Sequence, residues 1–426
     1  MKKKNTKNKP KINNQNCSSS SIGFNDLPIE VIREILLRLS VKNLGQLSCV
    51  SKLWQTIISD HSFAKLHLQH SPFSTQRCIV IQNIDVYDAQ VVDLDSLFHR
   101  NSSSSAMENV SLPLNSVKWK LHPRVHVVGS YNGFVCLHRE PYSLNVWNPL
   151  TGSYKGFSYY RHIVRNAYPV EKTWNSLKPL RITLLSGFGY DESKDDYFVI
   201  AAWKDKKEEN HFDFYSLRTN SWKSFEVELP NKPRRRDPGL FFNGAFHWLP
   251  EDVNDDTILV FDITKKSFSV IPMPERKITS YYANLVVLRG CLALYTTIGS
   301  TNNNKIWIMK EYKVKKSWTV VYNIPRGFLR PLCLSSGGDL VGLSHGGLTK
   351  VNVGSGERSY ATNVQVSNDN YCQDHKSIMY TESLMPLPSD SEEKKKRRKK
   401  RKGQQEENQS EVKQGKRRRR TATGTC

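Results

Sequence analysis

The sequence predicts a multidomain chain with a small all-α helical module at residues 24–70 and a large all-β, propeller-like domain at residues 77–388. Apolar residues recur every three to four positions in the first part, which is typical of amphipathic helices. Short β-branched and aromatic runs alternate with turn residues in the second part, and similar units repeat there about every 46–51 residues. Basic tails at residues 1–23 and 389–426 flank both parts.

The first helix of the module is predicted from its start signals and its apolar stripe. Asn25 and Asp26 are suited to cap a helix, and Pro28 falls in the first turn, where its missing N–H costs no hydrogen bond. The apolar residues that follow are spaced by three and four positions, as one helix face requires: Ile32, Ile35, Leu36 and Leu39.

Two further short helices are expected in the module. The residues Ser40–Asn43 break the pattern, a second helix is predicted from about Leu44 to Val50, and a third starts near Ser51, a suitable cap. Three short helices cannot cover this much apolar surface by themselves. The module is therefore expected to dock onto something else.

The order of residues in this module resembles an F-box. The matching stretches are LPIEVIREILLRLSVKNL, with its Leu27-Pro28 start, and CVSKLWQTIISDHSFAKLHL, with its Cys49–Trp54 core. Ser40 stands where the family usually has proline, and Gln46–Ser48 where it usually has an Arg-Phe-Arg-like stretch. An ordinary amphipathic helical hairpin inside a core is the alternative.

The F-box resemblance implies docking onto the Skp1-like adaptor of a cullin ubiquitin ligase. It implies that nine apolar residues divide between the adaptor-binding surface and the module's own core, without indicating which residue does which. These residues are Leu27, Pro28, Ile32, Ile35, Leu36, Leu39, Leu44, Val50 and Trp54.

The second part of the chain repeats two kinds of unit. One is a tight turn before an apolar strand, at Asn132-Gly133, Asn243-Gly244, Arg289-Gly290 and, more weakly, Gly337-Gly338. The other is a strand, a polar turn and an aromatic residue. It occurs at Val146–Tyr154, Phe214–Trp222, Val260–Phe268 and Tyr312–Trp318, and a final copy ends at Arg358.

The spacing of these units matches the four-stranded blades of a propeller, about six in number. A strand near Cys78–Gln82 could pair with one near Ser377–Glu382 and so close the ring without open edges. The sequences Val146–Gly152 (VWNPLTG) and Gly187–Asp191 (GFGYD) then resemble the F-box-associated domain of plant F-box proteins, which is similar to Kelch-type propellers. Gly133-Phe134 and Phe261-Asp262 fit the same resemblance.

The basic character of the chain lies mainly in its tails. The net charge is +23, of which six lysines of the first tail give +6, and 15 basic and 6 acidic residues from Asp390 onward give +9. Such tails are expected to be disordered and to serve as a bipartite-like nuclear import signal or a polyanion-binding tail, with a merely solvated tail as the alternative. The import candidates are Lys394, Lys395, Lys396, Arg397, Arg398, Lys416, Arg417, Arg418, Arg419 and Arg420.

No catalytic constellation is expected. The chain has no phosphate-binding loop, and Gly187-x-Gly189 lacks the third glycine of a dinucleotide-binding fingerprint. His247 is predicted to be a core or loop residue, and Asp195-Asp196 and Asp255-Asp256 are predicted to lie in solvated loops. Arg234–Arg236 is expected to form an exposed loop that either grips an acidic patch or keeps the chain soluble.

The remaining composition narrows the class of protein. Eight dispersed cysteines without a Cys-x-x-Cys pair are typical of a reduced, intracellular protein without a zinc site. No signal peptide or membrane-spanning run is expected. Neither a metal nor another cofactor is expected.

Together with the two resemblances, these features imply a non-catalytic substrate receptor of an SCF-type ubiquitin ligase. It would join the adaptor, and through it a cullin scaffold, to an unknown protein target. The nucleus is the expected location, with the cytoplasm second. The rivals are a stand-alone propeller enzyme and a nuclear protein that acts on chromatin or nucleic acid through its basic tails, which could contact nucleic acid only weakly.

Overall fold

The helical module contains four short helices. The computed structural model describes residues 27–70, 76–83, 88–98, 106–113, 125–139, 143–158, 185–204, 210–226, 228, 237–252, 254–275, 283–298, 303–324, 329–344, 347–361, 364 and 377–388. The helices of the module are α1 (Ile29–Leu37), α2 (Val41–Leu47), α3 (Lys52–Ile58) and α4 (His61–His70). The expectation of three helices was wrong, because α4 has too weak an apolar stripe to be recognised from its sequence.

Serine and aspartate side chains set the helix starts. The Ser51 hydroxyl accepts a hydrogen bond from the backbone N–H of Leu53, so the predicted cap of α3 is confirmed. The predicted start of α2 near Leu44 was wrong, because Ser40 caps that helix through the N–H of Asn43, one residue before Val41. Asn25 and Asp26 lie outside the described residues.

The module has its own apolar core. Ile32 and Leu36 from α1 meet Leu44 from α2, and all three side chains are at most 2% exposed. Phe63 of the unpredicted helix α4 is fully buried in the same cluster. The fourth helix therefore completes the core that three helices would leave open.

Twenty-four strands, a short helix, α5 (Leu94–Leu97), and a 3-10 turn (Lys315–Ser317) are described after the module. The first twelve strands are β1 (Gln76–Asn83), β2 (Asp88–Val92), β3 (Met107–Ser111), β4 (Val125–Tyr131), β5 (Phe134–Arg139), β6 (Ser143–Trp147), β7 (Tyr154–Ser158), β8 (Leu185–Asp191), β9 (Asp196–Lys204), β10 (Asn210–Ser216), β11 (Ser221–Phe225) and β12 (Pro238–Phe242). The others are β13 (Ala245–Trp248), β14 (Thr257–Asp262), β15 (Ser267–Pro272), β16 (Asn284–Leu288), β17 (Cys291–Ile298), β18 (Asn303–Met309), β19 (Trp318–Ile324), β20 (Arg330–Leu334), β21 (Leu340–Ser344), β22 (Gly347–Val351), β23 (Arg358–Tyr360) and β24 (Ser377–Thr381).

The strands form four separate four-stranded sheets and one eight-stranded sheet. The eight-stranded sheet consists of two antiparallel four-stranded units, β8–β11 and β12–β15, joined by a short parallel pairing of β8 with β12. The strands β4, β8, β12, β16, β20 and β24 contact one another in cyclic order. The described units are therefore arranged as a propeller, with these six strands innermost, and the predicted propeller-like domain is confirmed.

The ring closes by pairing the end of the β domain with its beginning. Strand β24 pairs antiparallel with β1, with Gln76 opposite Thr381 and Val80 opposite Ser377. The side chains of Cys78 and Val80 from β1 also pack against those of the β20–β22 sheet. The predicted closure is confirmed, and it leaves β1 without a free edge on that side.

Two glycines that lie opposite each other in the inner strands β8 and β12 make room for aromatic rings of β13. A Cβ atom at Gly187 would lie 2.6 Å from the Phe246 ring, and one at Gly239 would lie 2.5 Å from the Trp248 ring. Both rings are buried, so neither can move aside cheaply. The first glycine of the GFGYD sequence lies within strand β8, where it is a packing requirement and not part of a nucleotide-binding loop.

The tight turns have the backbone conformation that their sequences predict. Asn132 and Asn243 have φ of 49° and 48°, and the glycine after each also has a positive φ. Such turns suit two-residue hairpins because their twist matches that of the flanking strands. One repeat was misplaced: Tyr312 lies in the connection after β18, since that strand ends at Met309.

His247 lies in the core, as predicted, and its surroundings affect how the stability of the fold depends on pH. Its Nδ1 lies 3.1 Å from the carbonyl oxygen of Leu240 and donates to it, so its Nε2, 2.8 Å from the Tyr312 hydroxyl, accepts. Burial lowers the pKa of His247 from 6.5 to about 4, and the nearby Lys313 charge acts in the same direction. The unfolded chain therefore binds a proton at a higher pH than the folded chain does.

We expect the free energy of unfolding to fall as the pH decreases from about 6.5 to about 4, with His247 contributing up to about 1.4 kcal/mol per pH unit. Above pH 6.5 the residue is neutral in both states and contributes no slope. Urea unfolding of the full chain and of a His247→Gln variant across this range isolates the contribution as the difference between two slopes. If the free energy of unfolding depends on pH in the same way in both chains, His247 is not responsible for the dependence.

Candidate functional site: an exposed apolar face on the helical module

Exposed apolar side chains are concentrated in the helical module. Ten large hydrophobic residues are exposed among the described residues, and six of them lie within residues 27–70. The far larger β domain supplies only four. The six residues of the module, here called the apolar face, are Ile29, Val31, Ile35, Val50, Leu53 and Leu66. Such a concentration of apolar surface is typical of a site that binds another protein.

The structure divides the nine predicted residues between surface and core. Ile32, Leu36 and Leu44 are buried in the module's core and present no surface to a partner. Three more are half-buried against that core: Leu27, Leu39 and Trp54. The other three are exposed: Pro28, Ile35 and Val50. Val50 has the largest exposed fraction, 71%, which makes it the most accessible apolar side chain of the module.

Sequence reasoning missed four members of the apolar face, namely Ile29, Val31, Leu53 and Leu66. Val31 precedes Ile35 by four residues and therefore shares its side of α1. Its position next to the apolar stripe was a signal that could have identified it, since helix periodicity marks the buried face but also its flank. Leu66 could not be found, because its helix was not predicted.

Helix α4 joins the module to the β domain. Ala64 and Leu68 pack into a cluster that contains Phe134 of β5 and Phe188 of β8. Beside them, Lys65 Nζ donates to the Tyr190 hydroxyl at 3.1 Å. The expectation that the module must pack against something is met in part by its own chain.

Asp195 is the centre of the polar contacts at this junction. It accepts from Lys65 at 3.4 Å, from Arg218 at 2.8 Å and from the Tyr190 hydroxyl, and His61 Nε2 lies 3.9 Å from its Oδ2. The prediction of a solvated Asp195-Asp196 loop was wrong. Asp196 is buried and accepts from the backbone N–H of Arg218 at 2.9 Å.

The charges at the junction stabilise each other. Burial acts to raise the pKa of Asp195, but the Tyr190 hydrogen bond and the charges of His61 and Lys65 outweigh it and hold the pKa below its usual value. The hydrogen bond to Tyr190 is the main cause that raises the pKa of Lys65. Asp195 therefore remains an anion and Lys65 a cation at neutral pH.

The segment after β24 also packs at this junction, against the helical module and against the β domain. Leu384 packs against the core of the helical module, while Met385 and Leu387 are buried in the cluster that holds Ala64. The fully buried Asn148 donates from Nδ2 to the carbonyl oxygens of Ser383 at 2.8 Å and Met385 at 3.3 Å. The same chain segment thus contacts both structural parts.

The part of the chain that the structure describes contains no cluster of three or more His, Cys, Asp or Glu side chains placed to hold a metal ion. None of its helices is long and apolar enough to cross a membrane. Arg234–Arg236 lies outside the described residues.

Comparison with known proteins identifies both structural parts. Residues 24–66 match the model of the F-box domain, and residues 77–387 match the model of the F-box associated beta propeller domain, which covers well over half of the chain. The chain belongs to the F-box-associated beta propeller family. The resemblance to plant F-box proteins that the motifs predicted is confirmed, and the helical module is called the F-box module below.

Individual relatives agree with the family models. An F-box/kelch-repeat protein of Arabidopsis thaliana is 28% identical over 381 residues, which cover 86% of this chain and 96% of the relative. The F-box protein CPR1 of Arabidopsis thaliana is 26% identical over 342 residues, covering 72% and 77% of the two chains. The crystal structure of TolB from Acinetobacter baumannii aligns with a TM-score of 0.38 and 12% identity over 72% of this chain and 69% of TolB.

The family places the chain in a broad functional class. F-box proteins are generally non-catalytic substrate adaptors, typical of SCF ligases, and an F-box domain implies binding to a Skp1-like adaptor.

Proposed function

We propose that this chain is the substrate-recognition subunit of an SCF-type ubiquitin ligase. The F-box module would bind the Skp1-like adaptor, and through it a cullin, while the propeller binds a protein target. The observation that carries the proposal is the apolar face, because six of ten exposed large hydrophobic residues lie in a module of 44 described residues. Burying this surface against an adaptor would stabilise the complex by the hydrophobic effect.

The proposed role in ubiquitin transfer is to raise the effective concentration of a target near the ubiquitin-carrying enzyme. Two binding sites on one body achieve this without a catalytic group of their own. The junction supports the idea, since Ala64 and Leu68 pack into the propeller and Leu384 packs into the F-box module. A target held by the propeller would then keep a defined position relative to the adaptor.

We expect the double variant Ile35→Asp and Val50→Asp to weaken adaptor binding by at least about 100-fold, since charged groups buried without partners at an interface typically cost more than 2 kcal/mol. Titration of the full chain with purified Skp1-like adaptor by calorimetry measures the effect. Because Ile35 is 38% exposed and Val50 is 71% exposed, the folded chain can hold both carboxylates in water.

Val314→Asp is the matched control for this experiment. Val314 is also an exposed valine, at 37%, but it lies on the propeller. The control variant should bind the adaptor like the unmodified chain. If the double variant is folded, as judged by its thermal unfolding, and still binds with unchanged affinity, the apolar face is not the docking surface.

Nuclear import through the two basic clusters stays a prediction. Residues 389–426 lie outside the described residues, so the proposal of a nuclear location depends on sequence alone.

A further inference from the structure

Seven exposed cations lie on neighbouring turns of the propeller. Lys265 and Lys266 lie in the β14–β15 turn, and Arg289 lies in the β16–β17 turn. Four more surround the β18–β19 connection. This set, here called the basic turn patch, is Lys265, Lys266, Arg289, Lys310, Lys313, Lys315 and Lys316.

Topology brings these three turns to one end of the ring. Each four-stranded unit is an antiparallel meander, so its first and third turns emerge at the same end. Innermost strands follow one another in a closed ring, and β8 runs parallel to β12. The β8–β9 turn, which carries Asp195 at the F-box junction, is the corresponding turn of the neighbouring unit. The patch therefore lies at the end of the propeller that also contacts the F-box module.

Among the described residues, the cations of the patch have no ion-pair partner, whereas several other cations of the propeller have one. Elsewhere Arg218 pairs with Asp195 at 2.8 Å, and Lys305 pairs with Glu275 at 3.1 Å. Within the described part of the chain, no carboxylate lies within 4 Å of a side-chain nitrogen of any of the seven patch residues.

Two acidic residues occur in the same turns. Asp262 accepts hydrogen bonds from the backbone N–H groups of Thr264 and Lys265, at 3.0 and 2.9 Å, and so caps its turn. Glu311 is exposed beside Lys310. Two carboxylates among seven cations leave the patch strongly positive.

Backbone conformation supplies an independent observation. Seven non-glycine residues in the described chain have a positive φ, and four of them are Asn or Asp, which tolerate this region well. The other three are Lys266, Arg289 and Lys313, with φ of 54°, 51° and 67°, and all belong to the patch. A long side chain with a Cβ is costly in this conformation, and such strain is concentrated at functional sites.

The neighbouring units show what residue these turns would otherwise carry. Asn220 in the β10–β11 turn corresponds to Lys266 and has the same φ of 54°. Asn243 in the β12–β13 turn corresponds to Arg289, with φ of 48° against 51°. The fold is thus satisfied by Asn at these positions, and the cations need another explanation.

Contacts within the patch hold the turn after β18 in place. The backbone N–H of Lys313 donates to the sulfur of the buried Met309 at 3.1 Å. Tyr312 is held by His247 at 2.8 Å, and the Ser317 hydroxyl donates to the Glu311 carbonyl at 2.8 Å. The charges are therefore presented on a preorganised surface, which lowers the entropic cost of binding.

We propose that the basic turn patch binds an acidic segment of a partner protein. Its chemistry favours protein over nucleic acid because the aromatic rings beside the patch lie under its cations: Lys266 covers Phe225 at 4.5 Å, Lys313 covers Tyr312 at 5.4 Å, and Arg289 covers Tyr322 at 5.9 Å. These rings give no open platform on which bases could stack. The patch instead offers fixed positive charges around the exposed Val314, which suits a peptide of carboxylates with an apolar side chain.

The proposal does not depend on adaptor docking, since no patch residue lies in the F-box module. The test compares the full chain with the triple variant Lys266→Asn, Arg289→Asn and Lys313→Asn. The probe is a fluorescein-labelled acidic peptide of Glu, Asp and Leu, titrated at fixed ionic strength with anisotropy as the readout. The matched control, Lys394→Asn, Lys395→Asn and Lys396→Asn, removes the same charge from the basic tail.

We expect the triple variant to bind the peptide about tenfold more weakly, and the tail control to bind almost like the unmodified chain. The thermal unfolding midpoint of the triple variant should stay the same or rise, because Asn suits a positive φ better than Lys or Arg. Equal losses in both variants would assign the binding to net charge and overturn the proposal. A lower thermal midpoint of the triple variant would show that the cations stabilise the fold, and it would also overturn the proposal.

A single-stranded DNA oligonucleotide with the same net charge as the peptide tests whether the patch binds nucleic acid instead of protein. We expect its affinity to fall in the tail control and to change little in the patch variant. If the patch variant instead loses DNA affinity as strongly as it loses peptide affinity, the patch is a nucleic-acid surface, and the proposal is wrong.

Discussion

A chain that ends at residue 376 is expected to lose the cooperative fold of the propeller. The deletion removes β24, which pairs with β1 from Gln76 to Val80, and leaves that edge of β1 unpaired. It also removes Tyr380, Met385 and Leu387, whose side chains are at most 4% exposed. Burying side chains of this size contributes about 1.5–3 kcal/mol each, so the loss is comparable with the whole stability of a typical domain, about 5–15 kcal/mol.

A chain that ends at residue 388 is the control for this prediction. It lacks the same basic tail but keeps β24 and the segment that contacts the F-box module. Thermal unfolding followed by near-ultraviolet circular dichroism should give a cooperative transition for the control and none for the shorter chain. If both chains unfold at the same temperature, closure by β24 is not what holds the ring together.

The second large effect is expected at Asn148. Its side chain is completely buried and makes four hydrogen bonds: Nδ2 donates to two carbonyls of the segment after β24, and Oδ1 accepts from the backbone N–H groups of Leu150 and Thr151 at 3.0 and 3.2 Å. Asn148→Ala leaves these buried groups without partners. We expect a loss of about 3–5 kcal/mol in the free energy of unfolding, measured by urea denaturation.

Asn352→Ala is the matched control for this loss. Asn352 caps the β22–β23 turn in the same way, through the N–H groups of Gly354 and Ser355 at 3.1 and 2.9 Å, but it is exposed. Its replacement should cost only about 1 kcal/mol, the usual value of an exposed cap. Equal losses at the two positions would mean that the bonds from Asn148 to the segment after β24 contribute nothing.

Asn148→Asp separates the two halves of the Asn148 contacts. The variant keeps the acceptor that caps the turn but places a carboxylate against the carbonyls of Ser383 and Met385. Its pKa in the folded state should be raised above the unfolded value, so its stability deficit should shrink as the pH falls and the protonated group donates again. A pH-independent deficit would contradict this account.

Local features of the fold were predictable because neighbouring residues determine them. The helix cap at Ser51 and the hairpin turns at Asn132-Gly133 and Asn243-Gly244 depend on hydrogen bonds and φ angles within a few residues. The closure of β1 with β24 was predictable for a different reason. A repeated unit with strands at both ends of the chain has to pair them to avoid an open edge.

The candidate site was predictable only in outline. Ile32 and Ile35 lie on the same predicted stripe, yet one is 2% exposed and the other 38%. Periodicity indicates the side of a helix, but the neighbouring helices determine how much of that side they cover. The acidic pair Asp195-Asp196 was misassigned for a similar reason, since its partners Lys65 and Arg218 are distant in sequence.

The sequence by itself determined that the module beginning at Leu27 is helical and apolar, that the larger part is a repeated β structure, and to which family both belong. These properties follow from local periodicity, turn chemistry and an ordered motif. Tertiary structure alone decided which apolar residues remain exposed, how α4 and the segment at Leu384 fasten the two parts together, and that the cations near Lys313 share one end of the ring. Exposure and proximity depend on contacts between distant parts of the chain, and no local pattern encodes them.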